Sequence, residues 1–366
     1  MPVPDTIIVE RGPGETRCAL LAGDDVLDVH LARDADLQPG VVIAGRVTAV
    51  AAGTCFVEIG DTLPCVLRTK TPVREGETVA VRVTVPARAG KGAEVKAADH
   101  AIPEGTMVPS VLRPASDVAQ AWWEKNRGSV TRILCAPLSE QRRLRTLLAG
   151  APIEAGEADP FDAYGVEDAL ETVLAPAIPL PSGGRIIIEA TAGAVVIDID
   201  AGAGSPAAAN DEAIPVIARA LRLRNLGGHI LIDIIPPEGK RSAIRAAATP
   251  LADKLAALVA ADPTPTDIAG ITPLGMIELT RKRVGLSLDE MLLGRRAETM
   301  AYEALRRAVR TAVAEQAARI ALDAPPEVAA LLRGRLRPAL AEAISQSKAD
   351  IMVSERPGHA VDIVPL

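Results

Sequence analysis

Residues 183–286 alternate between strand and helix patterns so regularly that they constrain the fold more than any other part of the chain. Two apolar runs, RIIIEAT and AVVIDIDAG, predict a β-hairpin, and a helix is predicted over roughly 211–226, ending at a Gly-Gly pair. The run HILIDII at 229–235 is apolar apart from one aspartate, which is typical of a central strand. A further helix and strand follow. This β–β–α–β–α–β order predicts an α/β layer.

Residues 38–98 have a different pattern, in which five short β-rich runs are separated by turn signals. Glycines fall at or near the breaks between these runs. Five short strands over about sixty residues predict a small closed barrel of the oligonucleotide-binding type. Many barrels of this size bind no polymer, so the barrel pattern alone assigns no ligand.

The N-terminal segment, residues 1–33, predicts strands joined by tight turns. In the last of these strands the alternation places Leu27, Val29 and Leu31 on one face, as expected for a half-buried strand.

Helices are predicted from two suitable N-cap residues, Ser116 and Ser139, and a third helix is predicted over 165–176. Residues 289–345 have a largely helical pattern, and 348–355 predicts a last strand.

The composition limits the classes of function. The chain has 366 residues, enough for two or three domains of about 100–200 residues each. The net charge of −7 excludes a uniform basic coat for nucleic acid, and an aromatic content of 2% argues against a protein that holds bases mainly by stacking. Any polyanionic ligand is therefore expected to meet local basic clusters or metal ions.

Two further features concern the cellular setting. No apolar run reaches the ~18–20 residues that a membrane span needs, and the N-terminus lacks a secretory signal pattern. The four cysteines are scattered and form no CxxC pair, which predicts neither a zinc site nor a disulfide framework. We therefore expect a cytoplasmic protein with no membrane span.

Three aspartates are the best candidates for chemistry: Asp198, Asp200 and Asp233. Asp198 and Asp200 share one strand face because strand side chains alternate with a period of two, and Asp233 interrupts the apolar run HILIDII. Charges inside buried strands are unfavourable unless they are paired or bound to a metal. Mg²⁺ suits such a place because it takes one or two carboxylates and keeps several waters. A second interpretation stays open, in which these aspartates cap helices or pair with arginines at the sheet edge.

Basic residues cluster at three places in the same half of the chain. The clusters are Arg222 with Arg224, Lys240 with Arg241, and the run Arg281, Lys282 and Arg283. Each cluster by itself is typical of a solvated face. Three clusters around one acidic pair favour phosphate binding.

Several long motifs resemble the ribonuclease E/G family of bacterial endoribonucleases. They are PFDAYGVEDAL at 160–170, LPSGGRIIIEATAGAVVIDIDAG at 180–202, ANDEAIPVIARALRLR at 209–224, RLRNLGGHILIDII at 222–235 and ITPLGMIELTRKR at 271–283. The motifs occur in family order and at near-family spacing. Residues 45–96 also resemble the family's S1 domain, so the resemblance covers most of the first 290 residues.

The resemblance implies an α/β fold with a mixed-sheet catalytic core, an inserted five-stranded S1 (oligonucleotide-binding) β-barrel and a C-terminal helical region. The implied domains are a ribonuclease-H-like subdomain (1–34 plus 126–177), the S1 RNA-binding barrel (35–100), a shortened connecting segment (101–125), a catalytic α/β subdomain (178–288) and a C-terminal helical small domain (289–366).

The resemblance also implies an activity. The family hydrolyses single-stranded RNA in a Mg²⁺-dependent reaction, in RNA processing or decay, and leaves 5′-phosphate and 3′-hydroxyl ends. By motif, Asp198 and Asp233 hold the metal, and Asp200 is a third candidate catalytic residue. The candidate RNA-binding residues are Phe56, Lys91, Lys240, Arg241, Arg281, Lys282 and Arg283.

Four departures from the family pattern affect these expectations. Asp200 stands where the family has an asparagine, and the extra carboxylate would either tighten metal binding or repel the scissile phosphate. The cysteine motif through which zinc links two subunits is absent, so no zinc-linked dimer is expected. The second S1 aromatic and the Arg-Thr motif that senses a 5′-monophosphate are also missing. The alternative function is a non-catalytic RNA-binding protein on the same scaffold.

Overall fold

The fold is described from a computed structural model, which covers residues 2–51, 54–60, 63–69, 72–88, 90–236 and 241–366, with the side chains of 241–243 left out. These residues form two compact units. Gly165–Asp289, with residues 2–3, is one unit, and Pro4–Tyr164 together with Glu290–Leu366 is the other. No helix within the described ranges is long and apolar enough to cross a membrane.

The β-strands are numbered in chain order. They are β1 (Thr6–Gly12), β2 (Glu15–Ala22), β3 (Asp25–Arg33), β4 (Val42–Ala51), β5 (Thr54–Glu58), β6 (Cys65–Arg68), β7 (Thr78–Val85), β8 (Glu94–Ala97), β9 (Ser110–Arg113), β10 (Arg132–Ala136), β11 (Ile153–Ala155), β12 (Ala177–Pro179), β13 (Arg185–Ala190), β14 (Val195–Asp200), β15 (Gly228–Asp233), β16 (Thr266–Ile271), β17 (Ile277–Arg281), β18 (Arg319–Ala324), β19 (Asp350–Glu355) and β20 (Asp362–Pro365).

The α-helices are numbered in the same way. They are α1 (Val118–Lys125), α2 (Leu138–Leu147), α3 (Pro160–Ala163), α4 (Val166–Leu174), α5 (Pro206–Leu223), α6 (Arg241–Val259), α7 (Arg296–Glu315), α8 (Pro326–Arg333) and α9 (Arg337–Ser347). A π-helical turn over Asp289–Leu293 precedes α7.

The first sheet has the strand order β11-β10-β1-β2-β3. Strands β1, β2 and β3 form an antiparallel meander, and β10 and β11 run parallel to β1. A register shift between Leu20 and Leu21 changes the burial expected for β3. Val26 is buried in place of Leu27, while Val29 and Leu31 are buried as predicted.

Two helix caps differ from the sequence-based prediction. Asp117, not Ser116, caps α1 by accepting a hydrogen bond from the Gln120 amide. Helix α2 begins one residue before Ser139, and its N-cap residue, Pro137, makes no side-chain cap. Both errors are local, because several polar residues near a helix start compete for the cap and the chain path selects one of them.

The barrel closes through five strands in the order β4-β5-β6-β8-β7, with β7 returning to pair with β4. Gly45 allows this closure, because a Cβ atom at that position would lie 2.6 Å from Val57 Cγ1 and 2.8 Å from the Glu58 carbonyl oxygen. The predicted five-stranded barrel is therefore confirmed. Strand β9, which lies in the segment predicted as a connector, also pairs with β4.

The sheet that carries the candidate aspartates has the order β12-β13-β14-β15-β17-β16. One face is buried and apolar; it includes Ile186, Ile197, Ile199, Ile230, Ile232, Ile277 and Leu279. Helices α5 and α6 contact strands of this sheet, and the buried residues of α5 include Ala213, Ile214 and Ile217. Since side chains alternate along each strand, the polar residues of these strands lie on the opposite face.

The C-terminal region combines helices with a three-stranded sheet, β19-β18-β20. Strand β19 matches the predicted last strand, whereas β18 and β20 were missed. Strand β18 lies within the segment 289–345 that was predicted to be largely helical, although its burial alternates along the strand. Strand β20 has only four residues, too few for a clear alternation. Ile320 and Leu322 of β18 pack with Leu305 of α7 in one core cluster.

A buried ionic cluster joins α7 to the first sheet within the same unit. Glu15 on β2 pairs with Arg33 at 2.9 Å and with Arg306 of α7, and all three side chains are at most 10% exposed. Burial opposes ionisation of Glu15, but the two arginines outweigh it and lower the pKa of the carboxyl group. Removing one partner of a buried ion pair leaves an uncompensated charge, so this cluster is a sensitive point of the fold.

We therefore expect Glu15→Ala to lower the free energy of unfolding by about 3–5 kcal/mol, because Arg33 and Arg306 would lose their shared carboxylate. Urea unfolding monitored by circular dichroism measures the change. Glu303→Ala is the matched control, since the Glu303–Arg307 pair is about half exposed on both sides and contributes about 0–1 kcal/mol. Equal effects of the two substitutions would contradict a structural role for the buried cluster.

Candidate active site

Asp198 and Asp233 stand side by side on neighbouring strands. Strands β14 and β15 run parallel, and their register pairs Asp198 directly with Asp233. Paired residues of neighbouring strands project to the same face, and their strands lie about 4.8 Å apart. The two carboxylates, which are 35 residues apart in sequence, therefore form one acidic pair on the polar face of the sheet.

The local sequences explain why the pair points away from the core. In β14, Val195, Ile197 and Ile199 are buried and Asp198 is exposed between them. In β15, Ile230 and Ile232 are buried, and Asp233 is partly buried at the strand end. The apolar residues anchor both strands on the helical side, so their burial determines where the two carboxylates lie.

The electrostatics of the pair match its geometry. Partial burial and the neighbouring charge of Asp198 raise the pKa of Asp233. The second of these causes is the repulsion between the two carboxylates, which a bound cation would offset. Two adjacent carboxylates fit the ligands of Mg²⁺, which uses one or two carboxylates and several waters. Within the described ranges no group of three or more His, Cys, Asp or Glu residues is placed to hold a metal, so this site offers a pair only.

Asp200 lies on the same strand face but has other partners. Its carboxylate pairs with Arg185 of β13 at 2.9 Å, and it accepts a hydrogen bond from the Gly202 amide at 2.9 Å. The hydrogen bond from Gly202, followed by the charge of Arg185, lowers the pKa of Asp200. Asp200 thus forms an ion pair with an arginine, as one of the two interpretations of the sequence expected. Asp198 and Asp233 instead lie opposite each other in the register of β14 and β15.

Arg185 is a residue that the sequence analysis missed. The antiparallel register of β13 and β14 places it directly opposite Asp200. The signal lay in the predicted hairpin, because counting back from its turn pairs the first residue of RIIIEA with the last of VVIDID.

Arg281 was predicted to bind RNA, and the structure contradicts this. Its side chain is 2% exposed, pairs with Asp262 at 2.9 Å and donates to the Leu226 carbonyl oxygen at 2.7 Å. The reason is the alternation of β17, which places residue 281 on the same face as the buried Ile277 and Leu279. Arg281 is therefore a structural residue of the sheet.

The other basic candidates differ in position. Lys282 is exposed immediately after β17, and Arg283 is partly buried. Lys240 lies outside the described residues, and so does the side chain of Arg241. Arg224, which the sequence grouped with the basic runs, is 2% exposed and donates to the carbonyl oxygens of Val173 and Ala175.

The two barrel candidates lie in the other unit. Phe56 on β5 is 38% exposed, and its neighbour across the strand pair is Val66. Lys91 is exposed in the turn that it forms with Arg88. The sequence analysis missed one exposed cation near Phe56, which is Arg68 of β6. The register of β5 and β6 places Arg68 opposite Thr54, and Thr54 lies two residues before Phe56 on β5. It becomes visible only once the strand register is known.

The comparisons with known proteins point to the same segment. Residues 140–284 match the model of the Ribonuclease E/G family. Ribonuclease G of Salmonella typhimurium (strain SL1344) is 34% identical over 206 residues, which are 51% of this chain and 41% of that protein. Ribonuclease G of Haemophilus influenzae is 35% identical over 174 residues, 42% of this chain and 34% of that protein. Ribonuclease E of Nostoc sp. is 37% identical over 136 residues, 35% of this chain and 19% of that protein.

The matches therefore span less than half the length of these relatives. The matched family region contains all of β13 to β17 and hence both paired aspartates. The sequence motifs, the family match and the homologues agree that this region of the chain is similar to the ribonuclease E/G family.

Proposed function

We propose that this protein is a metal-dependent endoribonuclease that hydrolyses phosphodiester bonds of single-stranded RNA. The observation that carries the proposal is the pairing of Asp198 with Asp233 on the polar face of the sheet, within the segment that matches ribonuclease E and G. A purely structural sheet has no need for two adjacent carboxylates, because their repulsion opposes folding.

The residues present fit a divalent cation. Partial burial and the charge of Asp198 raise the pKa of Asp233, a bound cation would offset that repulsion, and carboxylate oxygens are the ligands that Mg²⁺ prefers. Asp198 and Asp233 would hold the ion. When bound, Mg²⁺ supplies Lewis-acid stabilisation of the charge that develops on the phosphodiester and makes water a stronger nucleophile near neutral pH.

The chain's own side chains would bind and orient the RNA. Lys282 is exposed beside the sheet, where its ammonium group would attract a flanking phosphate. On the barrel, the exposed ring of Phe56 offers a stacking surface for a base, and Lys91 offers a cation for the backbone. Arg185 neutralises Asp200, so Asp200 would add little repulsion toward an incoming phosphate.

Zinc has no role in this proposal. The four cysteines are all buried. Cys18 and Cys135 lie in the core of the first sheet, and Cys55 and Cys65 lie in the core of the barrel. Thiols in these positions are enclosed by apolar side chains, so we expect no zinc link between subunits.

We expect Asp198→Asn and Asp233→Asn each to reduce the cleavage rate by about two orders of magnitude or more, because each removes a carboxylate from the cation site. Labelled single-stranded RNA incubated with Mg²⁺ and then with EDTA measures cleavage. Asp200→Asn is the matched control, since it removes the same charge from the same strand face, and its Mg²⁺ midpoint is expected to match that of wild type. Wild-type turnover in either of the first two variants would refute the assignment, and RNA binding without cleavage by wild type would favour the non-catalytic alternative.

Asp233→Asn and Asp200→Asn should change the thermal stability of the protein in opposite directions in the absence of metal. Because the folded state raises the pKa of Asp233, ionising this group opposes folding at every pH above that raised value. Asp233→Asn should therefore raise Tm at pH 7 in EDTA, and the gain should shrink as the pH falls toward about 4. Asp200 has a lowered pKa, so Asp200→Asn should lower Tm at pH 7. Calorimetry at several pH values tests both signs, and a lower Tm for Asp233→Asn would contradict the repulsion.

Arg281 and Lys282 are adjacent in sequence and should behave differently. Arg281→Ala is expected to lower the free energy of unfolding by about 3–5 kcal/mol, because it leaves Asp262 buried without its partner. Lys282→Ala should change it by no more than about 0.5 kcal/mol but should weaken RNA binding and reduce its salt dependence. Denaturant unfolding and fluorescence anisotropy at several salt concentrations measure the two effects. Unaltered RNA affinity of Lys282→Ala would remove this residue from the proposed RNA path.

A further inference from the structure

Asn210 makes an unusual pair of hydrogen bonds two residues beyond Asp233. It lies on α5 and is 6% exposed. Its side-chain Nδ2 donates to the Ile235 carbonyl oxygen at 2.9 Å, and the Ile235 amide donates to its Oδ1 at 3.0 Å. One side chain thus satisfies both backbone polar groups of a single residue.

These bonds replace a strand partner. The ladder between β14 and β15 ends at the Asp198–Asp233 pair. Beyond that point the chain continues through Ile234, which is 3% exposed, to Ile235. Backbone groups in such a place need partners. The primary amide of Asn210 uses one N–H donor and its oxygen acceptor here, as a neighbouring strand would, so α5 holds the chain where the sheet no longer does.

The backbone on both sides of Asp233 is therefore restrained. Ile232 is held on one side by its pairing with Ile197, and Ile235 is held on the other by Asn210. Only Ile234 separates Asp233 from the residue that Asn210 holds, and its side chain is buried. The backbone that carries the Asp233 carboxylate is thus held beside that of Asp198.

We propose that Asn210 is a positioning residue for the metal-binding pair: it fixes the exit of β15 so that Asp233 stays in register with Asp198 for a divalent cation. This inference rests on the proposed function. Asn210 touches neither substrate nor metal in this role and acts only through the backbone of Ile235. Residues that orient metal ligands in this indirect way typically change metal affinity 10–100-fold when they are removed.

The test measures metal binding without RNA. The probe is Mn²⁺, which accepts the same carboxylate ligands, and electron paramagnetic resonance quantifies the free ion. We expect Asn210→Ala to weaken Mn²⁺ binding about tenfold or more and to speed hydrogen exchange at the Ile235 amide. In cleavage assays kcat should fall while KM for RNA stays within about twofold, since the exposed RNA-binding side chains are unaltered.

Asn225→Ala is the matched control for a general loss of stability. Asn225 follows the other end of α5 and donates from its side-chain amide to the Leu286 carbonyl oxygen at 3.0 Å. It also has a φ of 51°, which alanine tolerates less well. This variant should lower Tm at least as much as Asn210→Ala and leave Mn²⁺ affinity within about twofold of wild type. A Mn²⁺ affinity of Asn210→Ala equal to that of wild type would overturn the proposal.

A further arm separates this inference from the proposed function. If wild type and Asp233→Asn bind Mn²⁺ equally, the metal assignment fails and the positioning role fails with it. If wild type binds and Asp233→Asn does not, the metal site stands and Asn210→Ala alone decides the inference. Slow exchange of the Ile235 amide in Asn210→Ala, as in wild type, would also overturn the proposal, because the restraint on β15 would then lie elsewhere.

Discussion

The parallel pairing of β14 with β15 is the interaction on which the candidate site depends. Buried isoleucines favour this register: Ile197 and Ile232 lie opposite each other in the core, and a slip of one strand by one residue would move its apolar side chains to the polar face. The same register brings Asp198 beside Asp233. Burial of the apolar face therefore places two like charges next to each other. The raised pKa of Asp233 reflects this placement together with its partial burial.

The charged residues of this chain divide into two groups with different physical roles. Some are buried with partners, as in the Glu15 cluster and the Arg281–Asp262 pair, and their removal would leave an uncompensated charge in a core. Others are exposed or lie beside a like charge, as do Lys282 and the Asp198–Asp233 pair. Residues of the second group are free to respond to a ligand, which is why the proposed chemistry rests on them.

Much of the fold follows from local sequence pattern. The five barrel runs, the hairpin of β13 and β14 and the apolar strand β15 each carry a clear periodicity, and the structure contains all of them. Prediction was wrong where several local choices were nearly equivalent. The cap at Asp117 instead of Ser116 and the register shift that buries Val26 instead of Leu27 are decided by contacts between elements that are distant in sequence.

The sequence by itself determined the chemical types and the strand faces at the candidate site, because alternation with a period of two is a local property. It singled out Asp198 and Asp233, and the family motifs assigned them one role. Only the tertiary structure decided which charges are available. Arg281 is buried against Asp262, Asp200 is paired with Arg185, and Asn210 holds the chain beyond Asp233. The physical reason is that pairing and burial depend on which strands and helices become neighbours, and no local pattern along the chain contains that information.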